Sequence, residues 1–500
     1  MNKFGLCLVF VWLLCSFFSS ICWANDGASS PVGFWPANGA KEVCVDVLPK
    51  LTFDAPPVVG EKGRILICRA KDDKVVDQIV LEDPPINEWD PGVPVGCTTK
   101  FNIIGKVPGA TRARIVNYDP VLLDGNTVII APHNNRLQYN TEYYLLIEPG
   151  VLTGTIEGQP FEGITAKGEW GFKTKRRAPR GTTFQVNADG TADFCTVQGA
   201  IDAIPVMNKT PYTIEIAAGV YPEMLYIADR YHVTLRGEDR ETTIIRYKNY
   251  DRLNSGSGEG TPTPISDFTR PRRGGRSVLL VQSANGLVLE NLTIENTHGP
   301  KNQAETICLQ GGPTDRYIAK YCNFLSYQDT IQANARAWFY QCLISGDVDF
   351  IWGTGTTVLF EECELRVQRS NCYIVQARTP QADNKGFVFL HCDITVGGDY
   401  SGITLARSGG KSHYYDNVAY IKCRMGDYIT DLGWFRSPLP NPRVASATSG
   451  WKEYQSMDFE GNPIDLHYRF EEGSYQLTDE EYETYYKDRQ TIFGDWNPQP

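Results

Sequence analysis

The sequence predicts an all-β protein in two parts, a small β-sandwich followed by a parallel β-solenoid. Apolar runs are short, are broken every few residues by Gly, Pro or Asp, and show no sustained helical period. A second sign is a repeat in which a Cys is followed two residues later by an apolar residue. It recurs as Tyr-Cys322-Asn-Phe, Gln-Cys342-Leu-Ile, Glu-Cys363-Glu-Leu, His-Cys392-Asp-Ile and Lys-Cys423-Arg-Met, at spacings of 20, 21, 29 and 31 residues. Steps near 20, lengthened by loop insertions, are what successive turns of a solenoid produce, and they stack equivalent side chains above one another. Asn291 in Glu-Asn291-Leu-Thr-Ile is expected to hold the same place one turn before Cys322. The third sign is the basic, Pro-bearing stretch 173–180, Lys-Thr-Lys-Arg-Arg-Ala-Pro-Arg, which separates two β-rich regions and reads as a linker.

In chain order, residues 1–24 read as a secretory leader. One positive charge precedes an almost wholly apolar run over 4–22, and Cys22-Trp23-Ala24 ends small before Asn25. The run nearly spans a bilayer, but Ser16, Ser19, Ser20 and the small-residue exit favour cleavage over an uncleaved anchor. Ser-Ser-Ile is a poor context for a lipid anchor on Cys22. The product is therefore expected to be secreted, or periplasmic in a Gram-negative cell, and free of the membrane. Residues 25–175 form the first domain, with strands expected at Leu51-Thr-Phe, Arg64-Ile-Leu-Ile-Cys-Arg, Val75-Val-Asp-Gln-Ile-Val-Leu, Tyr143-Tyr-Leu-Leu-Ile and Trp170-Gly-Phe. Residues 176–500 form the solenoid, with strands such as Ile214-Glu-Ile, Val233-Thr-Leu, Leu287-Val-Leu-Glu-Asn-Leu-Thr-Ile, Val358-Leu-Phe, Gly386-Phe-Val-Phe-Leu and Val418-Ala-Tyr-Ile. A helix over 196–204 is expected to cover the open N-terminal end.

Composition narrows the function. The 500 residues are 42% hydrophobic and 12% aromatic, enough to bury large cores. With 48 Lys+Arg against 59 Asp+Glu the net charge is −11, which argues against affinity for nucleic-acid phosphates. Three of the 14 cysteines lie in the leader, leaving an odd 11. Five of these form the stacked ladder, and small apolar thiols in a core account for them better than zinc, since no paired CxxC exists. The pairing of Cys44, Cys68, Cys97, Cys195, Cys308 and Cys372 is left open.

The repeat also locates the chemistry. Asp329 stands seven residues after Cys322, and Asp349 seven after Cys342. Equal phase over one coil places one carboxylate above the other at about 4.8 Å strand spacing. Two carboxylates that close do not both ionise easily: the less solvated one keeps its proton and the other stays anionic, giving an acid and a nucleophile. Gln328 adds an amide donor suited to a developing oxyanion. Exposed turn residues are the usual fate of isolated Asp, but Asp349 lies in the apolar run Val348-Asp-Phe-Ile-Trp352. Asp347 and Asp349 project from one face of a strand and could hold Ca²⁺, yet one pair is thin coordination, so no metal or cofactor is expected.

Gln328-Asp-Thr-Ile and Gly346-Asp-Val-Asp-Phe-Ile-Trp-Gly353 resemble the two catalytic motifs of the pectin methylesterase family. The resemblance begins at Ala188-Asp-Gly-Thr-Ala-Asp-Phe-Cys-Thr-Val-Gln198. It runs through Gly219-Val-Tyr-Pro-Glu223, Leu235-Arg-Gly-Glu and Leu289-Glu-Asn-Leu-Thr-Ile-Glu-Asn296, and extends to Gly433-Trp434 and Trp451-Lys-Glu-Tyr454. It implies a right-handed parallel β-helix that removes methyl esters from methyl-esterified homogalacturonan, or its oligomers, as a monomer. It makes Asp349 the nucleophile, Asp329 the acid, and Gln328 with Gln303 the oxyanion donors. The family's Leu-Gly-Arg-Pro-Trp motif is here Leu405-Ala-Arg407-Ser-Gly-Gly, which keeps Arg407 to hold Asp349 and to bind substrate but loses the aromatic. Trp434, and with it Trp352 and Tyr327, are candidate sugar-stacking faces, with core packing the competing reading for all three and evenly balanced for the latter two. The first domain, from Pro36-Ala-Asn-Gly-Ala to Gly168-Glu-Trp-Gly-Phe-Lys-Thr, resembles bacterial Ig-like modules.

Other classes are a polygalacturonase, whose Asn-Thr-Asp, Gly-His-Gly and Arg-Ile-Lys signatures are absent, a Ca²⁺-dependent pectate lyase, and a non-catalytic carbohydrate-binding solenoid. Every proposed site residue lies beyond Arg180. A chain starting near Gly181 is therefore expected to keep full turnover on short substrates, with the first domain a separable spacer or substrate-proximity module.

Overall fold

The structure, a computed structural model, describes residues 33–85, 98–258 and 274–500. The leader and Cys97 lie outside the described residues. Residues 33–175 build two facing sheets. One has the antiparallel order Gly33–Trp35, Lys50–Thr52, Thr127–Ile130, Val121–Asp124. The other runs Ala40–Val43, Gly171–Thr174, Glu142–Ile147, Arg64–Arg69, Lys74–Val80. Leu51 and Val128 of the first sheet meet Ile65, Leu145 and Phe172 of the second in one buried core, the inward half of each strand's alternation. The expected linker is shorter than its sequence suggested. Lys173 and Thr174 belong to a paired strand, and Lys175 donates to Cys44 Sγ at 3.3 Å and to the carbonyls of Ala192 and Asp193.

From Thr183 onward, three parallel sheets of 11, seven and eight strands among the described residues wind into a β-helix. A single coil shows the plan: Arg316–Lys320 in the first sheet, Asn323–Leu325 in the second, Ile331–Asn334 in the third. The next coil repeats it with Arg336–Tyr340, Leu343–Gly346 and Val348–Gly353. Between first and second sheets the chain turns on one residue in the left-handed region, at Asn291, Tyr321, Gln341, Glu362, His391, Lys422 and Gln455. Six of these seven are neither Gly nor Asn, and each costs on the order of 1–2 kcal/mol, tolerated because ladders on both sides fix the backbone. The residue after each turn points inward, which is where Cys322, Cys342, Cys363, Cys392 and Cys423 stand, all buried and free. Each later thiol donates to a carbonyl of the coil before it, Cys363 to Phe339 and Cys423 to Phe389 among them. Asn291 is one place off the expected alignment. It is the turn residue, and Leu292 occupies the thiol position, since Thr293 pairs with Asn323.

Aromatic rings stack along the interior in the same way, Phe339 on Phe360 at 4.6 Å, Phe360 on Phe389 at 5.0 Å and Phe389 on Tyr420 at 4.5 Å. The first sheet is covered on its outer face too. Helices Asp479–Tyr485 and Arg489–Phe493 bury Tyr482, Ile492 and Phe493 against Leu359, Val388 and Ile421. This explains why Gly386–Leu390 is apolar at every position rather than alternating. Among the described residues no helix is long and apolar enough to cross a membrane.

Helix α1, Val197–Ala203, closes the N-terminal end, with Thr196 as N-cap. Its free N–H groups are met from two directions. Glu223 of the Gly-x-Tyr-x-Glu segment accepts from Val197 and Gln198. Asp46, from the first region, accepts from Cys195, Thr196 and the Thr196 hydroxyl. Burial pushes the Glu223 carboxyl up to about 8.

The two regions share buried contacts. Ile104, Val116 and Tyr118 sit in the β-helix core, Asn117 and Asn254 exchange backbone and side-chain hydrogen bonds, and Arg114 donates to five β-helix carbonyls. Removing the first region would strand buried carbonyls at about 1–3 kcal/mol each and uncover an apolar face. A chain beginning at Gly181 is accordingly expected to aggregate or to unfold at a much lower temperature than the full chain. Size-exclusion chromatography with thermal unfolding checks this, and a monodisperse fragment with an unchanged midpoint would contradict the coupling.

Candidate active site

Two successive coils bring the site together. Ile331 pairs with Ile351 and Gln332 with Trp352, so Asp329 and Asp349, two residues earlier in each coil, lie in register. The Asp329 N–H donates to the Val348 carbonyl at 3.1 Å. Both aspartates have positive φ, 67° and 47°, where a non-glycine residue is strained, and both are at most 4% exposed. Strain of this kind persists where surrounding structure over-determines the backbone and often marks a functional site.

The two carboxyls have unlike surroundings. Asp349 Oδ1 accepts from Arg407 Nε at 2.7 Å, and Oδ2 accepts from Arg407 Nη2 and from Gln376 Nε2 at 3.0 Å. A forked guanidinium on both oxygens is the geometry that matches a carboxylate anion. That contact holds Arg407 above the usual arginine value. Gln376 is itself oriented by Arg378 Nε, 2.9 Å from its Oε1.

Asp329 faces a different balance. Its Oδ2 accepts from Gln303 Nε2 at 2.8 Å and from Arg276 Nη2 at 3.1 Å. Arg276 is shared, however, with buried Glu305 at 2.8 Å and with Asp251 at 3.0 Å. One guanidinium faces three carboxyls. Burial first, and then the charge of Glu305, push the Asp329 carboxyl well above the usual carboxylate range, with Asp349 adding to the shift and Arg276 and Arg378 opposing it. Burial also raises Glu305, against the pull of Arg276.

Gln303 and Gln328 form a parallel bridge across adjacent coils. Gln303 spends one amide N–H on Asp329 and keeps the other. Gln328 is half-buried, and its side-chain amide has no partner among the described residues. Tyr327 is half-buried beside it. Trp352 is 8% exposed, with the Arg378 guanidinium 4.8 Å from its ring centroid and Arg276 at 5.8 Å, so its ring packs against the arginines of the site.

Trp434 is not a sugar face. It is 1% exposed and stacked on Trp451 at 5.2 Å, continuing the interior aromatic stack. The ring beside Arg407 is instead Tyr373, half-buried, 5.1 Å from the guanidinium and 4.7 Å from Phe435. Asp347 does not join Asp349 in a ligand set; its nearest cation is Arg369 at 3.7 Å. The one cluster of metal-ligand type among the described residues is Cys44, Asp46 and Cys195, far from this site in the fold. There Lys175 donates to the Cys44 sulfur and the Asp46 oxygens accept from the N–H groups of Cys195 and Thr196.

The sequence-predicted set of Asp329, Asp349, Gln303, Gln328 and Arg407 is thus brought to one place. Sequence reasoning missed Arg276, Glu305, Gln376 and Arg378. The spacing held a signal for Gln376 alone: it stands one coil beyond Trp352, paired with it, but the loop before Tyr373 breaks the 20-residue count.

Comparison with known proteins bears on the family and the fold. The sequence profile described as Pectinesterase matches residues 183–486. Pectinesterase 31 of Arabidopsis thaliana is 27% identical over 256 residues, half of this chain and 75% of the relative. Probable pectinesterase 56 of the same plant is 29% identical over 260 residues, half of this chain and 83% of the relative. Among solved structures, the pectin methylesterase from carrot superposes with a TM-score of 0.52 at 22% identity, covering 64% of this chain and 96% of that one. That likeness bears on the fold, a right-handed parallel β-helix. The family match makes this a carboxylic ester hydrolase. The chain belongs to the pectinesterase family.

A raised Asp329 has a consequence for stability. Its folded-state pKa exceeds the unfolded one, so its contribution is fully present below the ordinary carboxylate value near 4 and is lost as pH rises toward the raised value. Asp329→Asn, neutral throughout, is expected to unfold at a higher temperature than the parent at pH 7, with the gap closing toward pH 4. Calorimetry at both pH values checks this; a gap that widens on acidification would contradict it.

Proposed function

We propose that this enzyme removes methyl esters from methyl-esterified galacturonan, releasing methanol through a covalent intermediate on Asp349. The observation that carries this reading is the in-register pair itself: one carboxylate forked by Arg407, and the other buried beside Glu305 with an arginine it must share.

An Asp349 oxygen attacks the ester carbonyl carbon. The oxyanion of the tetrahedral intermediate lies against the free amide N–H groups of Gln328 and Gln303. Collapse breaks the bond to the methoxy oxygen as Asp329 gives it a proton, and methanol leaves. The product is a mixed anhydride between substrate and Asp349. Water then attacks that anhydride, Asp329 takes the proton it lost, and Asp349 leaves as carboxylate. Arg407 holds the nucleophile against its own burial and receives the regenerated anion in the same fork.

The partner is accordingly methylated homogalacturonan or its oligomers, with Tyr373, Phe435 and Tyr327 the partly exposed rings around the cleaved ester. The sequence division at residue 175 is kept as a change of architecture, with the first region acting as a built-in support for the β-helix. Products separate the alternatives: an esterase releases methanol, a polygalacturonase new reducing ends, a lyase an unsaturated product absorbing in the ultraviolet.

Asp349→Asn is expected to fold and to lose about 10³-fold or more in kcat on methylated oligogalacturonides. Asp329→Asn is expected to lose less on esters with leaving groups better than methanol, because these need less protonation. Methanol release assays on both ester types check this. Retained activity in Asp349→Asn, or equal losses across leaving groups in Asp329→Asn, would contradict the assignment.

A further inference from the structure

The segment that carries Arg276 is gripped by the first region of the chain. Arg114, in strand Arg114–Asn117, is wholly buried and has no carboxylate partner among the described residues. All five of its N–H groups are used, on five different carbonyls. Nε donates to Gly274 at 2.7 Å, Nη1 to Leu225 at 2.8 Å and Val278 at 3.3 Å, and Nη2 to Gly275 at 2.9 Å and Ser277 at 2.6 Å. Four of those carbonyls flank Arg276. The side chain of Asn249 reaches the Gly275 and Ser277 carbonyls as well, at 3.0 and 2.9 Å. Asn249 accepts from Asn254, which in turn donates to the Asn117 carbonyl, three residues beyond Arg114.

Close packing closes the remaining freedom. A Cβ on Gly274 would fall 1.9 Å from the Ile115 carbonyl oxygen, so only glycine permits this approach. The backbone around Arg276 is thus fixed between a strand of the first region and the β-helix, while its guanidinium reaches Asp329, Glu305 and Asp251. A bare guanidinium without a counter-charge is an expensive thing to bury. Burial lowers Arg114 to about 10, which leaves it charged at neutral pH. Donors of a simple structural tie need not be ionic, whereas a charged fork with a fixed plane sets the direction of every carbonyl it holds.

We infer that Arg114 is a positioning residue for the esterase: it holds residues 274–278 so that Arg276 meets Asp329, and thereby sets the acid from outside the β-helix. The family profile begins at residue 183, so this contribution comes from a part of the chain that the profile does not cover. The inference rests on Asp329 being the acid of the proposed mechanism.

The test is a double-mutant cycle of Arg114→Gln and Arg276→Gln in the full chain, measured on methylated oligogalacturonides beside Asp329→Asn. Arg114→Gln is expected to lower kcat about 10- to 100-fold with KM within about 2-fold, and to add no further loss in the Arg276→Gln background. The alkaline limb of its kcat profile is expected to move upward, as in Arg276→Gln, because Arg276 opposes the shift of Asp329. The charged groups around Asp329 are Glu305 and Asp349 on one side of the balance and Arg276, Arg378 and Arg407 on the other. Arg114→Lys, which keeps the charge but not the five-way fork, is run in the same cycle and is expected to recover part of the loss. Additive losses, an unmoved pH profile, or failure of both Arg114 variants to fold would overturn the inference and leave Arg114 a stabilising residue only. Full activity in Asp329→Asn would overturn the acid assignment instead, whatever the cycle shows.

Discussion

Everything at this site depends on the register with which one coil of the β-helix lies on the next. Ile331 against Ile351 fixes Asp329 over Asp349, and a slip of one residue would turn one of the two carboxyls to the other face of its strand. The same register stacks the cysteines, the left-handed turns and the interior rings, so the core that stabilises the helix is also the gauge that spaces the two carboxyls. The carboxyls need no dedicated loop to bring them together. They are two equivalent positions of a repeat.

Register alone gives a symmetric pair, and the chemistry requires an unsymmetric one. The asymmetry comes from residues outside the repeat. Arg407 arrives two coils later and forks Asp349, with Gln376 and Arg378 behind it. Arg276 arrives from before the pair and is divided among Asp329, Glu305 and Asp251. One carboxyl therefore has a guanidinium to itself and the other shares one, which in a desolvated site favours the anion on the first and the proton on the second, the division that the proposed nucleophile and acid need. The first region enters the account here, because the segment bearing Arg276 is seated on Arg114.

The legible part of the fold and site was the part written in the repeat. The phase of Asp329 and Asp349, the thiol ladder and the capping helix at Val197–Ala203 follow from local pattern, and the structure has them. Asn291 was misplaced by one because the turn residue, and not the thiol, is the position that favours Asn in a left-handed conformation. Trp434 was read as a sugar face since a sequence cannot tell an aromatic that ends an interior stack from one that faces a groove. Arg276 and Arg378 were invisible for a different reason: their coils are lengthened by insertions, so nothing in the spacing ties them to the pair, and for Gln376 the same lengthening blurs its place one coil beyond Trp352. The support from residues 101–117 was hidden because contacts across more than a hundred residues leave no periodic trace.

The central claim is that the two carboxyls are held unlike one another, Asp329 by burial and Glu305 well above the usual carboxylate range and Asp349 in a guanidinium fork that matches an anion. Infrared difference spectroscopy between the parent enzyme and each Asp→Asn variant at neutral pH tests it directly, since buried acids common to both proteins, Glu223 among them, cancel. The account predicts a protonated-carboxyl C=O band that disappears in Asp329→Asn and remains in Asp349→Asn. No such band in the parent, or its loss in Asp349→Asn alone, would contradict it.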